Sequence, residues 1–288
     1  MLKTRGQRIF NWFNIVIVFI IMLTCLLPFI HVLAKALSSN TYILAKEVYF
    51  WPKGFTFFSF NYVLSNPQFM RSMLVSVYIT VAGTLLSMLV TVLTAFVFTR
   101  KDLPFQGFIV GLFIFTMFFG GGMIPTYLLF NKMGLLDTYA VLILPGAVGV
   151  FNIILMRNFF ESISPSLEES AFIDGASNTR VLFAIYVPLS KAAIATITLF
   201  FAVGKWNAYF NAVMYTTSPA KMPVQLYLRN ILLSLDTLLE SDPQQLEYVA
   251  TEGVRAATVV AAMLPILMVY PFAQRYFIHG MMIGAIKE

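Results

Sequence analysis

The sequence has few charged residues and a single cysteine. Only 11% of its 288 residues are Asp, Glu, Lys or Arg, whereas 59% are hydrophobic. Soluble domains carry roughly 25% charged residues, so this composition excludes a water-soluble globule of this size, and it also excludes disordered, collagen-like and coiled-coil chains. A lone Cys25 excludes an internal disulfide framework. The remaining class is a membrane protein that crosses the bilayer several times.

Six long stretches contain almost no charged residues, and each has a length suited to a helix across the hydrocarbon core, which takes about 20 apolar residues. A membrane barrel would instead show short strands of alternating polarity. We therefore predict an all-α polytopic membrane protein with a single domain over residues 1–288. The predicted spans are about 12–34, 72–98, 105–130, 139–156, 187–208 and 256–275.

The first stretch also has features of a secretory signal, because Lys3, Arg5 and Arg8 precede the apolar run. That run, 15–33, is longer than the usual ~7–15-residue signal core, so we expect an uncleaved helix. The same three basic residues predict a cytoplasmic N-terminus, and six spans then return the C-terminus to the cytoplasm.

Carboxylates are absent from the six predicted spans. Ion-driven carriers generally need an ionisable relay within the bilayer, so this class is disfavoured. Two isolated histidines, one cysteine and no H-E-x-x-H motif disfavour a membrane metalloenzyme. Both remain as alternatives. The net charge of +6 does not argue for a nucleic-acid partner, because basic residues commonly flank membrane helices.

Residues 161–186, between predicted spans four and five, have the pattern of two short helices. Pro165 suits the first turn of a helix, and either Ser164 or Ser166 can cap it, the latter in a capping box with Glu169. The segment is too short and too polar to cross a membrane. We predict that it projects into the cytoplasm, although composition alone also allows a plain connector.

A turn is predicted in the middle of this segment. Asp174-Gly175 is a turn signal, because glycine adopts positive φ without steric cost. Ser177 can cap the second helix, which we expect to end near Pro188. These features predict a helix-turn-helix projection that is polar on one face and apolar on the other.

The run Glu169-Ser170-Ala171-x-x-Asp174-Gly175-Ala176, with Ile185 and Pro188 downstream, resembles the EAA loop of ATP-binding-cassette (ABC) importer permeases. It departs from that pattern at Ser170, where alanine is usual. Ala192 replaces a second proline that is frequent in carbohydrate permeases. The chain also resembles the carbohydrate-uptake type 1 (maltose-permease-like) family, most closely its permeases for aldouronate, alginate and other complex oligosaccharides, in Gly121-Gly122-Met123-Ile124-Pro125-Thr126-Tyr127, Met156-Arg157-Asn158-Phe159-Phe160 and Trp206-Asn207.

This resemblance implies a type I importer transmembrane domain in the bacterial cytoplasmic (inner) membrane. It implies that the chain is an oligosaccharide permease subunit and no enzyme, with a second homologous permease subunit, two ATP-binding subunits and an extracytoplasmic solute-binding protein as partners. ATP and Mg would be bound by the ATP-binding subunits, so no cofactor is expected in this chain, which has no Walker A motif. Membrane lipid would surround the helices. The residues implied to contact the ATPase are Glu169, Ala171, Asp174, Gly175 and Ala176.

A second group of candidate residues lies at the end of predicted span five. Lys205 must either extend to the headgroups or face a wet cavity. If the helix continues, Asn207 and Asn211 share one face. Amides beside aromatic rings suit sugar recognition, although an interfacial aromatic belt and subunit packing are alternatives. The predicted substrate pathway is Lys205, Trp206, Asn207, Tyr209 and Asn211.

Overall fold

A computed structural model describes residues 5–241 and 252–285, and all regular structure within these ranges is helical. The predicted all-α membrane fold is therefore confirmed. The chain divides into two compact units, one formed by Met1–Met70 with Tyr227–Leu264 and the other by Arg71–Leu226 with Pro265–Glu288. The single permease domain over 1–288 stays a prediction. Lys3, one of the three residues behind the predicted orientation, lies outside the described residues.

Three predicted spans are continuous helices. Span 12–34 lies within α1 (Arg5–Ala36), span 72–98 within α4 (Pro67–Thr99), and span 256–275 within α15 (Glu252–Ala285). In the part of the chain that the structure describes, three helices are long and apolar enough to cross a membrane, or up to five when two bent helix pairs are each counted as one span. The count of six spans thus stays a prediction.

Predicted span 105–130 is bent. It consists of α5 (Gln106–Phe118) and α6 (Met123–Lys132), which meet at 110°. The break contains the Gly120-Gly121-Gly122 run, and Gly122 has a φ of +84°. Predicted span 105–130 is therefore a bent pair of helices, an interruption that charge-free length does not detect.

Predicted span 139–156 is also interrupted. Helix α7 ends after five residues (Tyr139–Ile143), and α8 begins at Val150 (Val150–Glu161). Pro145 lies in the break; proline lacks the N–H that would continue a helix and its ring clashes with the carbonyl one turn earlier. Predicted span 139–156 therefore contains two helices, and whether it crosses the membrane stays a prediction.

Predicted span 187–208 begins later than expected. The helical segment Asn178–Leu189 bends by 84° into α12 (Lys191–Asn207). Within Asn178–Leu189, α10 (Asn178–Val181) leads through a π-helical turn into α11 (Val187–Leu189). Helix α12 has 17 residues, or about 25 Å at 1.5 Å per residue. The remaining helices are α2 (Asn40–Leu44), α3 (Phe58–Leu64), α9 (Pro165–Ile173), α13 (Phe210–Tyr215) and α14 (Val224–Ser241).

The core of the second unit supports the segment 161–186. Side chains from α4, α8 and α12 pack with the helix that follows the Asp174-Gly175 turn. Ile153, Met156, Phe160, Val181 and Ile197 are completely buried in this cluster. Burial of a large aliphatic or aromatic side chain contributes about 1.5–3 kcal/mol, so this cluster fixes the base of the projecting segment.

Asp137 holds two loops of the second unit together. Its carboxylate accepts hydrogen bonds from the Thr217 and Ser218 N–H groups at 3.1 and 3.0 Å and from the Ser218 hydroxyl at 2.5 Å, and it pairs with Lys221 at 3.0 Å. The Ser218 hydroxyl and N–H, together with the Lys221 ammonium, hold the pKa of Asp137 well below its ordinary value.

We expect Asp137→Asn to lower the thermal unfolding midpoint of the detergent-solubilised protein at pH 7. Because the folded-state pKa is depressed, the stabilisation is complete above the ordinary aspartate pKa of about 3.9 and is lost as the pH falls below it. The difference between wild type and variant should therefore shrink below about pH 4. Asp102→Asn, at an exposed position, is the matched control. An equal midpoint for wild type and Asp137→Asn at pH 7 would contradict this role.

Candidate coupling site and candidate substrate pathway

The segment 161–186, called here the knob, contains a helix that ends in a glycine turn. The Gly175 N–H donates to the Phe172 carbonyl at 3.0 Å, and the Ala176 N–H donates to the Ala171 carbonyl at 2.9 Å. This pair of bonds is the Schellman arrangement, in which glycine takes a left-handed conformation. Gly175 has a φ of +78°, so the predicted turn is confirmed.

Capping of the two knob helices differs partly from expectation. Ser164 is the residue before α9, and its hydroxyl bonds to that of Ser166 at 2.8 Å instead of capping the helix; no Ser166–Glu169 capping box forms. Ser177 caps the second helix as predicted, because its hydroxyl accepts from the Arg180 N–H at 3.3 Å.

The five predicted coupling residues fall into two groups. Glu169, Asp174 and Gly175 are exposed at the end of the knob, and the Asp174 carboxylate makes no hydrogen bond within the described part of the chain. Ala171 and Ala176 are partly buried and pack against the core of the second unit. The first group is available to a partner, whereas the second group attaches the turn to the helices.

Large apolar side chains are exposed beside these carboxylates. Ile173 is 86% exposed, Leu167 47% and Phe172 41%. An isoleucine with this exposure at the end of a helix gains nothing from the fold of this chain. The exposed end of the knob therefore combines an apolar contact surface with acidic groups, which is a composition suited to protein docking.

Sequence reasoning missed the residue that attaches the knob to α4. Glu168, one residue before Glu169, pairs with Arg100, the residue after α4, and accepts a hydrogen bond from the Tyr186 hydroxyl. The side chains of Arg100 and Glu168 are only 18% and 19% exposed. The Arg100 guanidinium also lies 4.1 Å from the centroid of the Phe96 ring. We call Arg100, Glu168 and Tyr186 the strut.

The spacing within α9 contained a signal for the strut. Ala171 lies three residues after Glu168, so the two side chains share one helical face. Ala171 packs on the core, which places Glu168 on the inward side of the helix and Glu169 on the outward side. The sequence did not indicate that Arg100 is the cationic partner of Glu168, because the two residues are 68 positions apart.

We expect Gly175→Val to disturb the turn through its backbone conformation alone. A Cβ at Gly175 would meet no atom within 4 Å, so the left-handed conformation is the constraint. That conformation costs a non-glycine residue roughly 1–2 kcal/mol. Gly175→Asn should retain much more function than Gly175→Val, because asparagine tolerates left-handed backbone. Uptake by membrane vesicles checks this order, and equal uptake would contradict it.

The predicted pathway residues do not form a single helical face. Helix α12 ends at Asn207, Ala208 is extended, and α13 begins at Phe210. Asn207 and Asn211 therefore lie on different helices and do not share one helical face. Trp206 is buried with 6% exposure, consistent with packing, whereas Asn207 and Tyr209 are exposed.

Lys205 is the pathway candidate with the most defined contacts. Its ammonium donates to the carbonyl oxygens of Ile143 and Pro145 at 2.8 and 3.0 Å. These carbonyls belong to the break between α7 and α8. Lys205 also lines a small cavity with Asn211, so the structure brings two of the five predicted residues together.

The fold and the knob define a helical membrane protein with an exposed docking segment. No cluster of metal-ligating residues occurs within 5–241 and 252–285. The chain belongs to the family of binding-protein-dependent transport system inner membrane components, whose family model matches residues 86–283. It is therefore the transmembrane permease subunit of an ABC importer located in the inner membrane, and the ATPase is a separate subunit.

Curated relatives and a solved structure agree with this assignment. The chain is 41% identical over 288 residues to protein LplC of Bacillus subtilis (strain 168), covering 100% of this chain and 98% of LplC. It is 39% identical over 284 residues to the polygalacturonan/rhamnogalacturonan transport system permease protein YtcP of the same organism, covering 98% and 99%. A bacterial ABC transporter involved in the import of the acidic polysaccharide alginate contains a similar chain, with a TM-score of 0.89, 34% identity and coverage of 96% and 99%.

Proposed function

We propose that this chain forms half of a translocation pathway for acidic oligosaccharides and receives its ATPase on the exposed end of the knob. The observation that carries the coupling role is the exposed surface formed by Glu169 and Ile173, on a knob attached through the strut. The acidic class is supported by the relatives, since galacturonan and alginate are both built from uronic acids, which carry carboxylates.

The proposed assembly contains three kinds of protein partner. A second homologous permease subunit completes the pathway, two ATP-binding subunits bind ATP and Mg, and an extracytoplasmic solute-binding protein delivers the sugar. The family description supports the binding protein. Closure of the ATPase pair moves the two knobs together, and the helices then switch between inward and outward access as rigid bodies.

An uptake assay with matched sugars tests the substrate class. Cells that express the complete importer should accumulate an oligogalacturonate and should accumulate its fully methyl-esterified form much more slowly, because esterification removes the carboxylates and keeps the sugar backbone. An ATPase subunit should copurify with the tagged chain. Equal uptake of the two forms would contradict the acidic class. Purification of the tagged chain with its partner permease but without an ATPase would contradict the coupling role.

We further propose that both termini and the knob are cytoplasmic. Arg100 and Lys101, in the short turn between α4 and α5, support this orientation. A cysteine at Ser177, which is exposed on the knob, should resist impermeant thiol reagents added to intact cells that lack Cys25, and should react after the cells are opened. Labelling of Ser177→Cys in intact cells would show that the knob lies outside the cytoplasm.

A further inference from the structure

Helix α1 presents an apolar surface that the described part of the chain leaves uncovered. In the most apolar stretch of Ile9–Ala36 no residue is buried. Trp12 is 69% exposed near the N-terminal end of this helix, and His31 lies 19 residues further along. At 1.5 Å per residue the two are about 28 Å apart along the helix axis, close to the ~30 Å thickness of the hydrocarbon core. The positions of Trp12 and His31 therefore match the two edges of that core.

Three consecutive aromatic residues lie beside α1 at the level of His31. Tyr49, Phe50 and Trp51 are 66%, 48% and 82% exposed, and we call them the aromatic triplet. The Nδ1–H of His31 donates to the Tyr49 carbonyl at 2.7 Å. This bond joins the triplet to the part of α1 where the apolar core of the bilayer would end.

The loop that carries the triplet is packed against the end of α1 on both sides. Val48, directly before the triplet, is 3% exposed and packs with Ala34 and Ile43. After the triplet, the Lys53 N–H donates to the hydroxyl of the buried Ser38 at 3.0 Å. The outward position of the three rings is therefore set by folded structure before and after them.

Charged residues follow just beyond the triplet. Lys35, one turn after His31, pairs with Glu252 at 2.5 Å, and Lys53 pairs with Glu47 at 3.0 Å. The order from an apolar helix surface through aromatic rings to paired charges is the order of a bilayer from its core to its headgroups.

We propose that the aromatic triplet binds the phospholipid headgroup layer at the end of α1 opposite to Trp12 and, through the His31 bond, fixes the depth of α1 in the bilayer. The Trp51 indole N–H and the Tyr49 hydroxyl can donate to phosphate and ester oxygens, while the rings pack against the adjoining acyl carbons. The triplet is continuous with the uncovered apolar surface of α1, so one bilayer occupies both. In the orientation proposed above, this is the outer leaflet.

Spin labels measure the depth of the triplet in the complete importer, reconstituted in vesicles of phosphatidylcholine and phosphatidylglycerol with partner subunits that lack cysteine. The label is attached at Trp51→Cys in a chain that carries Cys25→Ser. Ile21→Cys, in the middle of the apolar part of α1, is the reference for the core, and Asp102→Cys, at an exposed charged turn, is the reference for water. Collisions with oxygen, which concentrates in lipid, are compared with collisions with a water-soluble nickel chelate.

We expect the label at Trp51→Cys to lie between the two references, with nickel collisions at least about threefold fewer than at Asp102→Cys, because aromatic side chains of this kind lie at headgroup level. The depth should stay the same when the binding protein is added with oligogalacturonate. His31→Leu in the same labelled chain should raise the nickel collisions towards the value at Asp102→Cys, because the bond that holds the triplet is lost. A label at Ile21→Cys should be unaffected by His31→Leu.

Three results would overturn the inference. Nickel collisions equal to those at Asp102→Cys would place the triplet in water. Shielding of the label from both oxygen and nickel would show that a protein subunit covers the triplet. Shielding from nickel only after the binding protein is added would make the triplet a docking surface for that protein. An unchanged depth of the label in His31→Leu would contradict the role of His31.

Discussion

Glu168→Lys is expected to abolish uptake while the ATPase still copurifies with the permease. The substitution places a second cation beside Arg100 and removes the acceptor of the Tyr186 hydroxyl. Breaking a fully buried ion pair costs about 3–5 kcal/mol, and the partial exposure of this pair lowers that figure. The exposed face of the knob is unchanged, so docking persists, but the attachment of the knob to α4 is weakened and transmits motion less well.

Charge exchange distinguishes the strut from a general loss of folding. Arg100→Glu combined with Glu168→Lys restores the opposite charges, and we expect it to recover part of the uptake. Glu161→Lys is the control, because Glu161 pairs with Arg157 at 2.8 Å in a more exposed position on α8. Exposed pairs contribute about 0–1 kcal/mol, so this variant should transport normally. Normal uptake by Glu168→Lys would show that the strut does not transmit motion.

Ile173→Asp is expected to have the opposite signature, loss of the ATPase from a stable permease. Ile173 is 86% exposed, so its replacement leaves the fold of the chain unchanged. Burial of an isoleucine in a complex contributes about 1.5–3 kcal/mol, and a carboxylate at the same place adds a desolvation cost. Retention of the ATPase in a pull-down should fall at least about tenfold, since 1.4 kcal/mol is a factor of ten.

The controls for this prediction lie on the same knob. Asn178→Asp adds the same charge at an exposed position after the turn and should keep the ATPase. Glu169→Lys should also weaken retention of the ATPase, as Ile173→Asp does, because both residues lie on the exposed face of the knob. If the ATPase copurifies with Ile173→Asp as well as with wild type, the docking surface does not lie on the knob.

The sequence predicted the elements whose signals are local. Uninterrupted apolar runs identified α1, α4 and α15, and the Asp174-Gly175 pair identified the knob turn, because glycine at positive φ is a property of the residue itself. The resemblance to importer permeases identified the family without any structure. These features depend on a few neighbouring residues, which a linear sequence displays directly.

The features that were missed depend on contacts between distant residues. Counting charge-free length could not detect that α7 ends at Ile143, although Pro145 was visible. The carbonyls that hold Lys205 lie 60 and 62 residues away, and no side-chain chemistry marks them in the sequence. The resemblance directed attention to Glu169, which faces outward, whereas the inward partner of Arg100 is its neighbour Glu168.

The most direct test of the account measures which energy source drives transport. The chain, its partner permease subunit, the ATPase subunits and the binding protein are reconstituted in proteoliposomes, and uptake of labelled oligogalacturonate is followed. We predict that uptake requires enclosed ATP and the binding protein and is insensitive to the collapse of proton and sodium gradients. Uptake that proceeds without ATP and follows an imposed ion gradient would contradict the account and would support an ion-driven carrier.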